Sequence, residues 1–127
     1  MCGICGIYNV GTGEPVSDRL VRAMADTMVH RGPDAEGIYA SGPIGLGHRR
    51  LSIIDLAGGA QPMSNRDGSV WVAFNGEIYN FHELREGLEK KGYTFQSRSD
   101  TEVIVHLYEE IGEECFRQLR GDRKSVV

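Results

Sequence analysis

The second residue of the chain is a cysteine, a position with a specific chemical use. Loss of Met1, plausible before a small side chain, would leave Cys2 with a free α-amino group beside its own thiol. The amine titrates at about pH 8 and the thiol at about 8.5, so the amine can take the thiol proton through a water. Nucleophile and base then share one residue. Cys2 and Cys5 also spell C-x-x-C, which raises a redox pair or a zinc half-site. The run from Ile4 to Asn9 is rich in strand formers, and residues three apart on a strand face opposite ways. Zinc would need two further ligands, and Cys115 with the four scattered His offers no paired spacing. Cys5 is therefore expected as a small core residue, and no metal site is expected.

Other polar residues have bland and chemical uses side by side. Asn75-Gly76, between Ser69–Phe74 and Glu77-Ile78-Tyr79, reads locally as a hairpin turn. Asp100 sits where a helix starts, and a carboxylate there is stabilised by backbone N–H groups and the helix dipole. Arg49 and Arg50 are neighbours in an extended segment, so only one of them can enter a given pocket. Arg31-Gly32-Pro33-Asp34 reads as a helix stop and turn with no catalytic duty. His48 is expected to be a satisfied structural histidine. His30, His82 and His106 have no spacing that singles them out.

The elements that must position these residues alternate in period. A strand over Ile4–Asn9 precedes a helix capped by Ser17, with Leu20, Val21, Met24, Ala25 and Met28 at helical spacing up to Gly32-Pro33. Residues 37–40 and 44–48 form strands around Ser41-Gly42-Pro43, and an apolar segment runs from Arg49 to Asp55 toward Gly58-Gly59. Asn80 with Glu83 is a capping-box pattern opening a helix through Leu84 and Leu88 to Gly92. A strand is expected over Thr94–Ser97. Ser99 with Glu102 repeats the capping pattern before a helix bearing Val103, Ile104, Leu107, Tyr108 and Ile111, and a shorter helix follows through Cys115, Phe116 and Leu119. Without repeats or regular βαβ alternation, the fold class is α+β.

Composition sets the outer bounds. A chain of 127 residues with 40% apolar and 25% charged residues suits one globular domain. The net charge is −4 and no run of Lys or Arg exceeds two, which leaves no footprint for nucleic acid or an anionic membrane and favours a small substrate. No apolar run approaches the about eighteen residues of a membrane span, and no signal peptide is recognisable, so a cytoplasmic location is expected. Three cysteines make a poor disulfide framework. The 17 glycines, about twice the usual share, imply tight turns or close backbone approaches.

Five segments taken together carry a resemblance. Met1-Cys2-Gly3-Ile4-Cys5-Gly6-Ile7, Arg31-Gly32-Pro33-Asp34, Gly47-His48-Arg49-Arg50-Leu51-Ser52-Ile53-Ile54-Asp55, Phe74-Asn75-Gly76-Glu77-Ile78-Tyr79-Asn80 and Ser99-Asp100-Thr101-Glu102 stand in the order and spacing of one family. From residue 2 to about residue 121 the chain resembles the class II glutamine amidotransferase domain of glutamine-dependent asparagine synthetases. The resemblance implies an N-terminal-nucleophile hydrolase fold, an αββα sandwich of two antiparallel sheets between helical layers. It implies that Cys2, freed of Met1, attacks the side-chain amide of L-glutamine, forming a γ-glutamyl thioester and releasing ammonia. Asn75 and Gly76 would form the oxyanion hole, which needs preorganised donors. Arg50 would grip the substrate carboxylate through two parallel hydrogen bonds, and Asp100 would receive its ammonium. Backbone groups of Leu51, Ser52, Ile53 and Ile54 and around Glu77 would line the pocket.

The chain departs from the resembling family at its end. Where the family continues after Leu-x-Gly with an apolar strand, this sequence reads Asp122-Arg123-Lys124-Ser125-Val126-Val127. The expectation is an incomplete glutaminase domain over 1–121 that lacks its C-terminal strands, followed by a frayed polar tail over 122–127. The synthetase domain, where the family uses ATP and Mg²⁺, would be absent, and no cofactor is expected here. Exposed edges predict self-association. The alternative reading is a non-catalytic glutamine-binding or assembly fragment of an amidotransferase, and a redox or zinc module is the third.

Overall fold

Every strand pair in the computed structural model is antiparallel among the residues it describes, which are 2–51 and 59–123. The structure divides into two units, each with its own packing. The first holds the described residues up to Leu51 together with Ala60–Pro62, and the second holds Gly59 and the described residues from Met63 onward.

In the first unit, strands β1 (Gly3–Tyr8), β2 (Ala35–Ser41) and β3 (Ile44–Arg50) form a sheet of order β1-β3-β2, with helix α1 (Asp18–Asp26) between β1 and β2 in sequence. The β2–β3 hairpin closes at Ser41↔Ile44, with Gly42 at φ 52° in the turn, as the Ser-Gly-Pro signal predicts. Central β3 pairs with both neighbours, so Arg49 lies opposite Gly3 on one side and Glu36 on the other. Helix α1 buries Val21 and Ala25 completely. Ser17 occupies the N-cap position but makes no side-chain cap bond. The helix is shorter than its apolar pattern suggests. Thr27 donates from both its N–H and its hydroxyl to the Met24 carbonyl, and the chain leaves as successive turns through Arg31.

The second unit contains β4 (Met63–Ser64) paired with β5 (Trp71–Val72), β6 (Gly76–Ile78) paired with β7 (Gly121–Arg123), and helices α2 (Phe81–Lys90), α3 (Glu102–Ile111) and α4 (Cys115–Gln118). A single 3₁₀ turn, Gly112–Glu114, joins α3 to α4. Its core is Leu88, Val103, Leu107 and Cys115, against which Phe81, Leu84, Phe95 and Leu119 pack. Burying each such Leu or Val contributes about 1.5–3 kcal/mol, which accounts for the helical spacing of these positions.

Four local expectations give way here. Asn75-Gly76 is no hairpin turn, because β6 pairs with β7, some 45 residues further along, rather than with β5. Asp122 and Arg123 are not a frayed tail, since both belong to β7, whose pairing depends on backbone groups rather than on apolar side chains. Residues 124–127 lie outside the described segment. Thr94–Ser97 is not a strand, as the N–H groups of Gln96 and Ser97 bond to the Glu102 carboxylate instead of a neighbouring strand. Asn80 forms no capping box. Its side chain accepts from the Arg120 N–H and donates to the Gln118 carbonyl, tying the start of α2 to the turn before β7.

Candidate active site

The nucleophile candidate lies at the start of β1, beside the end of the strand that carries Arg50. Register Gly3↔Arg49 brings Cys2 to this strand end, and the Leu51 N–H donates to Cys2 Sγ at 3.4 Å. The Arg31 Nε–H donates to the Cys2 carbonyl at 3.4 Å, holding the same residue from its backbone side. Cys2 is half-buried and its sulfur is in no disulfide.

The paired arginines separate as strand alternation requires. Arg49 turns to α1 and β2, where Nε donates to the Ala25 carbonyl at 3.2 Å and Nη2 meets Glu36 at 2.8 Å and also Asp26. Arg50 therefore projects from the opposite face at the Cys2 end of the strand. Its backbone is fixed by the Arg31-Gly32-Pro33-Asp34 segment, which sequence reasoning took as a helix stop and turn with no catalytic duty. A Cβ built on Gly32 would stand 2.3 Å from the Arg49 carbonyl carbon and 2.5 Å from the Arg50 nitrogen. Only glycine permits that approach. Two residues on, the Asp34 N–H donates to the Arg50 carbonyl at 3.0 Å. The signal was present in the sequence as a glycine in a polar turn, but its partner was not. Ser52, Ile53 and Ile54, expected to line the pocket, and the expected loss of Met1 lie outside the described residues.

In the second unit Asn75 and Gly76 stand at the head of β6, both half-buried. Along β6 the Glu77 side chain is exposed while Ile78, at 3% exposed, is buried. The strand is held from two directions. Gly121 packs so tightly on it that a Cβ there would lie 1.9 Å from the Glu77 carbonyl oxygen. From the other direction, Asp100 Oδ2 accepts the Ile78 N–H at 2.7 Å. Asp100 is thus not merely a helix-start carboxylate. Thr101 occupies the N-cap position of α3, and its N–H bonds Ser99 Oγ at 3.2 Å. The residue expected to receive an ammonium is joined directly to the strand that opens with the expected oxyanion donor.

Sequence reasoning gave Glu102 no site role, reading it as a capping partner and as the last residue of the Ser99-Asp100-Thr101-Glu102 motif. It is 4% exposed, and its carboxylate accepts the Gln96 N–H, the Ser97 N–H and the Ser97 hydroxyl at 2.7, 2.7 and 2.5 Å. Burial pushes this carboxyl up, yet the Ser97 hydroxyl and the two N–H groups outweigh it and hold the group below its ordinary value. The sequence signal was its place at the end of the Ser99-Asp100-Thr101-Glu102 motif, with its serine partner five residues earlier.

The other thiols differ from Cys2 in surroundings. Burial pushes the Cys5 and Cys115 thiols up, against the low values that reactive thiols need. Cys5 Sγ lies 4.0 Å from the Val21 carbonyl, packed beneath α1, which is the half-buried version of the expected core role. His48 is 2% exposed in central β3. Among the described residues, no group of three or more His, Cys, Asp or Glu is placed to hold a metal ion. No helix among them is long and apolar enough to cross a membrane.

Residues 1–123 match the family described as the glutamine amidotransferase domain. The chain is 48% identical over 123 residues to asparagine synthetase [glutamine-hydrolyzing] 1 of Bacillus subtilis, covering 95% of this chain and 20% of that protein. It is 43% identical over 121 residues to asparagine synthetase B [glutamine-hydrolyzing] of Escherichia coli, covering 95% of this chain and 22% of that protein. The chain thus spans about a fifth of the length of these relatives. Among solved structures, glutamine phosphoribosylpyrophosphate amidotransferase from B. subtilis superposes with a TM-score of 0.71 at 23% identity, over 95% of this chain and 33% of that one. The shared fold is the α+β N-terminal-nucleophile hydrolase fold that the sequence motifs implied.

Proposed function

Because the chain belongs to the glutamine amidotransferase domain family, we propose that it is the glutamine-hydrolysing part of an asparagine synthetase. The observation that supports this reading best is the Leu51 N–H on Cys2 Sγ at 3.4 Å, with the second-residue thiol at the end of the Arg50 strand. Once Met1 is removed, the Cys2 amine takes the thiol proton through a water and the sulfur attacks the side-chain carbonyl carbon of L-glutamine. Charge then gathers on the carbonyl oxygen, which the Asn75 side-chain amide and Gly76 N–H receive. Collapse of the tetrahedral intermediate expels ammonia, which takes its proton from the Cys2 ammonium, and leaves a γ-glutamyl thioester. Water, with the amine again as base, releases glutamate and restores the thiol. Arg50 holds the substrate carboxylate and Asp100 its ammonium.

In this reading the ammonia goes to a synthetase part of the kind the longer relatives carry, with aspartate as acceptor. ATP and Mg²⁺ belong to that part alone, and the setting is cytoplasmic. The test is the intact mass of the purified chain before and after 6-diazo-5-oxo-L-norleucine, an electrophilic glutamine mimic. Loss of Met1 and one adduct, blocked by excess glutamine and absent in Cys2→Ala, is the expected result. A chain that has lost Met1 yet takes no adduct is a non-catalytic fragment, and the hydrolytic reading fails.

A further inference from the structure

The glutaminase reading leaves unexplained why a carboxylate as buried as Glu102 stands two residues from Asp100. Glu102 opens α3, and its two oxygens take three hydrogen bonds from Gln96 and Ser97. The intervening residues close on themselves. Ser97 Oγ accepts the Ser99 N–H at 3.2 Å, and Ser99 Oγ accepts the Thr101 N–H at 3.2 Å. Residues 96–102 therefore form a ring of hydrogen bonds, closed by Glu102, with Asp100 held inside it. Outward from this segment, Asp100 Oδ2 accepts the Ile78 N–H, and the Ser97 carbonyl accepts from Arg85 Nη1 at 2.9 Å.

The closing carboxylate is walled in. His106 Nε2 lies 3.6 Å from Glu102 Oε1, and the His106 ring packs against Phe95 and Tyr93 at centroid distances of 4.7 and 5.4 Å. Without the carboxylate, the Gln96 and Ser97 N–H groups lose their acceptor and the loop loses its tie to the start of α3. We propose that Glu102 is a positioning residue: by closing the 96–102 loop on α3 it aims the Asp100 carboxylate at the substrate ammonium. Glu102 itself touches no substrate. The inference rests on the glutaminase reading and adds a residue to it.

The test compares two probes of Cys2, 6-diazo-5-oxo-L-norleucine and its analogue lacking the α-amino group, by their labelling rates on the full chain. The ratio of the two rates reports ammonium recognition, whereas a general loss of structure slows both. Glu102→Gln is expected to lower the ratio about tenfold and leave labelling by the deamino probe within about twofold, the loss of a charge-assisted contact. Asp100→Asn should give a similar loss, and the double variant no more than either. Ser97→Ala, which removes one of the three bonds to the carboxylate and the acceptor of the Ser99 N–H but keeps the carboxylate itself, should lower the ratio about threefold. An unchanged ratio in a folded Glu102→Gln chain, or equal slowing of both probes, overturns the proposal. If Glu102→Gln does not fold, Ser97→Ala decides by the same ratio, an unchanged value again overturning it. Wild-type chain unlabelled by either probe overturns the glutaminase reading itself, whereas labelled wild type with an unmoved ratio in the variants overturns only the role of Glu102.

Discussion

Arg49 and Arg50 differ in nothing but the face of β3 they occupy, and that difference separates stability from recognition. Arg49 is tied to Glu36, Asp26 and the Ala25 carbonyl. Arg49→Ala should therefore cost about 1–3 kcal/mol in urea unfolding, as expected for stranding a partly buried partner. Arg50→Lys should leave the urea midpoint near wild type and raise the glutamine KM about tenfold, because an ammonium cannot reproduce a two-pronged grip. Glu102 adds a pH dependence whose sign follows from its depressed value. A carboxyl held below its unfolded pKa contributes stability in full above that unfolded value, whose ordinary figure is 4.5, and loses it as pH falls through the folded one. Wild-type stability should fall more steeply below pH 4.5 than that of Glu102→Gln, read from urea midpoints across the acid range. Parallel curves would show that the carboxylate contributes nothing.

At the scale of elements, two glycines decide where strands can lie. Gly32 lets the turn after α1 rest on the Arg49–Arg50 backbone, and Gly121 lets β7 close on Glu77. Neither has a positive φ, so the demand is for space and not for an unusual conformation. Gly32→Ala and Gly121→Ala should each destabilise by about 1–3 kcal/mol or more, the cost of overpacking against backbone that cannot rotate away. Gly32→Ala should also slow labelling of Cys2, since the displaced backbone leads directly to the Leu51 N–H; unaltered labelling would separate the turn from the site. The elements that read correctly from the chain are those coded within a few residues. The β2–β3 hairpin has its Ser-Gly-Pro turn, and α3 has Val103, Ile104 and Leu107 at helical spacing. The misread ones, Thr94–Ser97 and Asn75-Gly76, depend on distant acceptors and strands.

For the molecule as a whole, each unit has its own packing, and truncation within one should be felt strongly. Leu88 is 2% exposed in the core of the second unit, and Leu88→Ala should cost about 2–5 kcal/mol. Self-association through sheet edges remains part of our proposal. The two-stranded sheets β4–β5 and β6–β7 each present edges among the described residues, and Tyr79 and Phe116 are 67% and 50% exposed. Sedimentation velocity should show mass rising with concentration, and a single monomeric boundary at every concentration would refute it. What the sequence alone determined is the chemistry: a cysteine positioned to become N-terminal, the motif order that implied an amidotransferase, and the helices whose apolar spacing lies within one element. What only the tertiary structure decided is partnership. It paired β6 with β7, turned Arg49 onto α1, brought Gly32 under Arg50 and enclosed Asp100 in the ring that Glu102 closes. Propensity and capping act over a turn or two, so they are written locally. Hydrogen-bond partners across tens of residues are chosen by whichever arrangement buries the core and satisfies every buried polar group, and no short window of sequence contains that choice.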